Sequence, residues 1–251
     1  MTTLEGIVLK ERLFGEQDKF IDILTNNRGL VELSVKGARK INGKSSASTQ
    51  LFAYSRFCYD ENRNRFRLNS AEPIHIFYGL RNSLTAISLA SYFADMLRFC
   101  MVEKEGSENV LRLMLNTLHY LENGSRSEAM LKSVFELRLM SEIGFMPDIL
   151  CCRECGAFEP DEIYFSVDEG GFRCTDCVPE KSDHDHKLKL PELSAIRHIV
   201  LTDFDRLFNF RLKDENLSRL SYFTESYAAF HLERTFKTLE FYRSINGKKY
   251  E

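Results

Sequence analysis

Two Cys-x-x-Cys pairs limit what this chain can become more than any other feature. Cys152-Arg-Glu-Cys155 and Cys174-Thr-Asp-Cys177 are separated by 18 residues, inside the C-x2-C-x15-20-C-x2-C window that marks a four-thiolate zinc site. A tetrahedral ion takes four sulfur ligands at about 2.3 Å, and each tight knuckle offers two of them. Gly156 follows the first pair, where a residue with positive φ relieves the turn. The stretch Ile163-Tyr-Phe-Ser-Val-Asp-Glu-Gly-Gly-Phe-Arg-Cys174 reads as strand, Gly170-Gly171 turn, strand. The expectation is a zinc ribbon, set against the blander alternatives of two disulfides or free core thiols. With all four positions filled by cysteine, no coordination position is left for a catalytic water, so the expected Zn2+ is structural and contributes folding energy locally.

The other candidate ligands are weaker. Cys151 stands next to Cys152 and could compete for the metal, but only Cys152 reproduces the two-residue spacing of the second knuckle. Cys58 and Cys100 stand alone in apolar surroundings and read as packing residues. His184-Asp-His186, just past the ribbon, reads as a solvated loop in preference to a second metal site.

At 251 residues the chain should divide into two or three parts. Its hydrophobic fraction of 43% and charged fraction of 28% are those of a soluble globular protein. No apolar run approaches the ~18 residues needed to span a bilayer. The opening Met-Thr-Thr-Leu-Glu-Gly lacks the basic and apolar regions of a signal peptide. Seven cysteines, four of them in metal spacing, fit a reducing cytosol. A cytoplasmic protein with no membrane partner is therefore expected. The net charge of −3 hides an asymmetry: residues 28–81 hold 10 basic and 4 acidic side chains. An anionic partner for this part of the chain is plausible on that count.

Residues 4–76 carry short β-branched runs bounded by Gly or Asn: Gly6–Lys10, Phe20–Leu24, Leu30–Val35, Leu51–Tyr59 and Phe66–Ile76. Five short strands in so few residues predict a small closed barrel. Beyond Pro73 the apolar period becomes helical, from Leu80 to Met101, Asn109 to Glu122 and Glu128 to Ile143, and after the ribbon over Pro191–Val200 and Leu217–Tyr242. The expected fold class is a multi-domain α+β chain. A barrel spans 1–78, a helical bundle 79–148 and 188–251, and the four-cysteine ribbon is inserted at 149–187.

After the third strand, Lys36-Gly-Ala-Arg39-Lys40-Ile-Asn-Gly-Lys44-Ser combines cations with glycines and hydroxyls. Such a loop can bring backbone close to phosphate while Lys and Arg displace counterions. Arg63, Arg65 and Arg67 alternate, so they project from one face of a strand. Phe52, Tyr54 and Phe57 could stack on bases but read mainly as barrel core. A solvated surface loop and a nucleic-acid site explain the basic residues equally well at this level. Gly37 to Gly43-Lys44-Ser45 resembles a P-loop but has five intervening residues instead of four, and no helix opens after it. His231-Leu-Glu233 follows both knuckles instead of preceding them, which excludes a zinc deaminase. No G-x-S-x-G element and no carboxylate dyad stand out. Nothing in the residues argues for an enzyme.

Taken together, three stretches resemble the RecO family of bacterial DNA repair proteins, which act as recombination mediators. They are Gly6-Ile-Val-Leu with Gly15-Glu-Gln-Asp18 and Lys36-Gly-Ala-Arg39-Lys40; Phe135-Glu-Leu-Arg-Leu-Met-Ser-Glu-Ile-Gly-Phe145 with Pro147; and the two knuckles with Gly156, Phe165-Ser166 and Gly170-Gly171. The resemblance implies an N-terminal OB-fold, a helical domain and a zinc module. It implies binding of single- and double-stranded DNA, strand annealing, and help in loading recombinase onto DNA coated by single-strand-binding protein. It also implies two partners, RecR and the acidic C-terminal tail of the single-strand-binding protein, at the nucleoid. Lys36, Arg39 and Lys40 fall on the family's basic motif, with Lys44, Arg63, Arg65 and Arg67 as further candidate DNA contacts. The competing reading is a zinc-ribbon interaction module of a transcription or RNA-processing complex.

Overall fold

The computed structural model describes residues 2–37, 45–62, 65–102, 107–178 and 184–247. Two compact units emerge: Met1–Asn123 with Phe236–Glu251, and Gly124–Thr235. The first opens with β1 (Thr2–Phe14), β2 (Asp18–Thr25), β3 (Leu30–Val35), β4 (Ala53–Asn62) and β5 (Arg65–Ile76). Among the described residues the helices are α1 (Leu84–Cys100), α2 (Glu108–Asn123), α3 (Glu128–Glu142), α4 (Leu190–Leu201), α5 (Asp214–Leu232) and α6 (Lys237–Asn246). Strands β6 (Glu162–Ser166), β7 (Gly171–Cys174) and β8 (Asp185–Lys189) form a separate sheet in the second unit. None of these helices is long and apolar enough to cross a membrane.

Alternation builds the barrel. Val31, Leu33 and Val35 of β3 point inward, as do Phe66 and Leu68 of β5, while Arg65 and Arg67 point out. These side chains meet Val8, Ile21, Ile23, Phe57 and Tyr59 in one core. Each fully buried aliphatic or aromatic side chain contributes about 1.5–3 kcal/mol. The strands close in the order β1-β2-β3-β5-β4, with β3 and β5 parallel. Closure needs a bend in β1. A register shift between Val8 and Lys10 supplies it; Thr2–Ile7 pair with β4 and Gly6–Phe14 with β2. The five-strand barrel expected from the pattern is present.

In the same unit the buried Asp22 carboxylate accepts hydrogen bonds from Arg12 (2.9 Å) and from Arg98 of α1 (2.8 Å). Arg98 also pairs with Asp95, which accepts from Thr238 of α6 at 3.1 Å. In the second unit α3 packs on α5 and α4, and β6 is the central strand of β7-β6-β8.

Two local expectations are corrected. The helical run over 217–242 is two helices: α5 ends at Leu232, Glu233 turns left-handed (φ 49°), and α6 starts after Phe236. No glycine or proline marks the break. Burial of Phe236 against the rings of Tyr92 and Phe99 fixes the chain there (centroids 5.7 and 6.1 Å apart). The segment containing His184-Asp-His186 is not a loop throughout, since residues 185–189 form β8 on the free edge of β6. The imidazole of His186 packs on Tyr222 and Phe223 of α5 (5.3 and 5.7 Å), and burial lowers its pKa. The alternation of His186 and Leu188 with Lys187 and Lys189 was the strand signal.

Candidate metal centre and barrel face

The ribbon is built as its glycines suggest. Ser166 of β6 pairs with Gly171 of β7 across the turn, where Gly170 has φ 67°. Asp148 N–H donates to Gly170 O (2.7 Å) and Arg153 N–H to Phe172 O (3.1 Å), which folds the first knuckle back onto the second. Gly156 takes φ 72° and donates to Cys152 O at 3.0 Å, closing the knuckle turn. The result brings Sγ of Cys152, Cys155, Cys174 and Cys177 within 4.8 Å of one another. The Cys155 and Cys174 sulfurs are 3.6 Å apart. Tetrahedral ligation at about 2.3 Å requires sulfur pairs separated by about 3.8 Å, so the donor set fits a thiolate-bound ion. Cys152 and Cys174 are buried, Cys177 half-buried and Cys155 exposed. Cys151 lies outside this group.

Protonation also differs among the four thiols. Burial opposes ionisation of Cys152, yet the amides of Cys155, Cys174 and Glu154 draw its pKa down to about 6; the Cys174 amide lies 3.3 Å from its sulfur. Cys177 is pushed up to about 12, first by the Cys174 thiol and then by Cys155. A first thiolate therefore makes the next ones costly, a conflict that a divalent cation removes by taking the place of the protons.

On the barrel, Lys36 is exposed immediately after β3, and Arg65 and Arg67 are exposed on β5. The parallel register sets Ser34 beside Arg67. Alternation then puts Lys36, Arg65 and Arg67 on the outer face of the β3–β5 seam. Arg39, Lys40, Lys44 and Arg63 lie outside the described residues. Other cations counted in the basic segment are engaged: Arg28 with Glu61 (2.9 Å) and Arg56 with Glu5 (2.8 Å). Phe52 and Phe57 are core side chains, and the Tyr54 hydroxyl donates to Glu5 at 3.0 Å.

Both flanks of the basic loop are fastened to the β1–β2 hairpin. Gly37 N–H donates to the Asp18 carboxylate (2.8 Å). On the far side, buried Lys19 donates to Glu11 and to Thr49 O (both 2.7 Å), and Glu11 accepts from Leu51 N–H (2.6 Å). Within the Gly15-Glu-Gln-Asp18 stretch, Asp18 thus has a structural role at the start of the loop.

The second unit contains a cavity of about 660 Å³. Arg126 and Arg211 line it together with Met130, Phe210, Leu212 and Leu217. Arg126 is held by Phe208 O (2.9 Å). No sequence pattern joins these distant residues. The Phe135–Phe145 stretch has a structural meaning here. Phe135 is buried, Glu136 enters a buried ionic cluster with Lys132 (2.9 Å), and Arg138 binds the carbonyls of Ile199, Val200 and Thr202 at the end of α4.

Comparison with known proteins accords with this architecture. The profile described as Recombination protein O N terminal matches residues 1–77, and that described as Recombination protein O C terminal matches residues 81–240. A DNA repair protein RecO of Acetivibrio thermocellus is 32% identical over 97% of each chain. That of Alkaliphilus metalliredigens is 28% identical over 96% of this chain and 98% of its own. That of Symbiobacterium thermophilum is 28% identical over 98% of both.

Proposed function

Because the chain belongs to the RecO family of DNA repair proteins, we propose that it is a recombination mediator. It would bind single- and double-stranded DNA, anneal complementary strands, and help load recombinase onto DNA coated by single-strand-binding protein. The observation that carries this reading is the exposed row of Lys36, Arg65 and Arg67 on one outer face of the barrel. Arg39, Lys40, Lys44 and Arg63 would extend it. Phosphates are neutralised, counterions are released, and bases remain free to pair. The chain acts by binding and handover, without making or breaking covalent bonds. In this division of labour, residues 1–78 capture DNA at the nucleoid, 149–187 hold the ion, and the helical segments 79–148 and 188–251 serve protein partners.

Cys152, Cys155, Cys174 and Cys177 would hold one structural Zn2+. Bound there, the ion supplies folding energy to the ribbon. RecR and the acidic tail of the single-strand-binding protein are the proposed partners. The cavity with Arg126 and Arg211 beside Met130, Phe210 and Leu217 combines charge and apolar surface in the way an acidic, apolar C-terminal tail requires.

Strand annealing tests the reading directly: the protein should accelerate pairing of complementary strands, coated or bare, and a chain with no effect on either would refute it. Lys36→Ala with Arg39→Ala should weaken single-strand binding at every sequence. The log–log salt slope should fall by roughly 0.7 to 1 for each lost phosphate contact. An unchanged titration would remove the loop from the site. Arg211→Ala should weaken binding of an acidic C-terminal peptide by about fivefold, equivalent to about 1 kcal/mol for an exposed ion pair. Equal affinity for wild type and variant, measured by fluorescence anisotropy, would place the tail elsewhere.

A further inference from the structure

The turn after β5 carries a second surface feature that the basic residues do not explain. Tyr78 is 52% exposed, so much of its ring faces solvent. Arg81 lies three residues on, in the same 3-10 turn (Tyr78–Asn82), where side chains at that spacing eclipse. Its guanidinium covers the Tyr78 ring with the central carbon 5.2 Å from the centroid. Gln50 fixes both groups: its Nε2 donates to the Tyr78 hydroxyl (3.2 Å), and its Oε1 accepts from Arg81 (2.7 Å). The hydroxyl oxygen is thus an acceptor toward Gln50, which leaves its proton free to be donated outward.

The turn is seated rigidly. Gly79 N–H donates to the Glu122 carboxylate at 2.7 Å, and a Cβ at Gly79 would stand 2.6 Å from Glu122 Cγ. His75 binds the other carboxylate oxygen (3.3 Å). A side chain at Gly79 would have to displace the Glu122 side chain on which the turn lies. The platform is also connected to the flanks of the basic loop. Gln50 follows Thr49, whose carbonyl is held by Lys19, and Lys19 follows Asp18, which holds Gly37 next to Lys36.

The geometry points to Tyr78 and Arg81, clamped by Gln50, as a stacking platform for an unpaired nucleobase of a single strand, with the Arg81 charge on the neighbouring phosphate. A rigid aromatic face backed by guanidinium, open to solvent, is what sequence-independent base stacking requires. Buried apolar packing does not require it, because the ring is left in water. The inference deepens the DNA-binding reading and rests on it. It gives the barrel a means of preferring unpaired over paired DNA, since a base inside a duplex cannot present its face.

The chain contains no tryptophan, so Tyr78→Trp introduces a single reporter. Its emission should be quenched on addition of oligothymidylate and should respond much less to an equal concentration of duplex. In parallel, Tyr78→Ala should weaken oligothymidylate binding by roughly 5- to 150-fold, the range spanned by loss of one base–aromatic stack, without changing the salt slope. Tyr78→Phe should bind nearly as wild type. Arg81→Ala should lower the slope by about 0.7. Wild-type affinity in Tyr78→Ala, while Lys36→Ala is impaired, overturns the platform and leaves the DNA reading intact. Absence of single-strand binding by the wild-type chain overturns both. Equal quenching by duplex and single strand also overturns the proposal.

Discussion

Replacement of Cys174 by serine is expected to yield protein without stoichiometric zinc and with an unfolded ribbon. Cys174 is buried in the thiol cluster, so the substitution removes one of the four proposed sulfur ligands while its amide can still donate to the Cys152 sulfur. Structural zinc contributes on the order of 10–16 kcal/mol of apparent binding energy in zinc-finger peptides near pH 7. The sheet β7-β6-β8 is short, with β7 only four residues long, and short strands have little stability of their own. Phe165 remains packed on Phe223 and Tyr227 (4.8 and 6.0 Å), so β6 should keep partial order while the knuckles open. Elemental analysis of freshly purified protein should read one zinc per wild-type chain and none in the variant. Hydrogen exchange should accelerate between residues 152 and 177 and stay slow in the barrel strands. Cys151→Ser should retain the metal. Loss of zinc in that variant, or metal-free wild-type protein with native protection, would show that the four-sulfur assignment is wrong.

Lys132→Met should destabilise the second unit by about 3–5 kcal/mol, the cost of leaving buried charge without its partner. The ammonium is almost completely buried. It pairs with Glu136 (2.9 Å) and Glu225 (2.8 Å) and donates to Ser221 O (3.1 Å). Thr224 adds a bond to Glu136 at 2.7 Å. Removing the lysine takes its ammonium away from two carboxylates packed between α3 and α5. Methionine preserves most of the aliphatic volume, so the loss reports charge and not packing. Combining Lys132→Met with Glu136→Gln and Glu225→Gln should recover much of the loss, because no uncompensated charge remains. Denaturant titration followed by circular dichroism checks this. A single variant as stable as wild type would mean that the cluster contributes little.

The sequence carried different parts of this structure with unequal clarity. The barrel strands were visible because alternate residues such as Val31, Leu33 and Val35 must face one interior. The thiol cluster was visible because two knuckles bring their own local geometry. The α5–α6 break was invisible, since it depends on where Phe236 finds its aromatic neighbours and not on a helix-breaking residue. Strand β8 was hidden by His186, which read as solvated until Tyr222 and Phe223 appear beside it. The basic residues were over-counted: Arg28 and Arg56 are balanced by carboxylates that come near only in the folded chain. The Tyr78–Gln50–Arg81 arrangement joins residues from two separate loops and could not be read from spacing.

The fastening of residues 37 and 49–51 to the β1–β2 hairpin has an evolutionary consequence. Segments inserted or exchanged between two fixed posts add only closure entropy, about 0.6 kcal/mol for each doubling of length. The charge of the chain between these posts can therefore change at little cost to the barrel core. Divergence in polymer affinity across such proteins should concentrate between these posts.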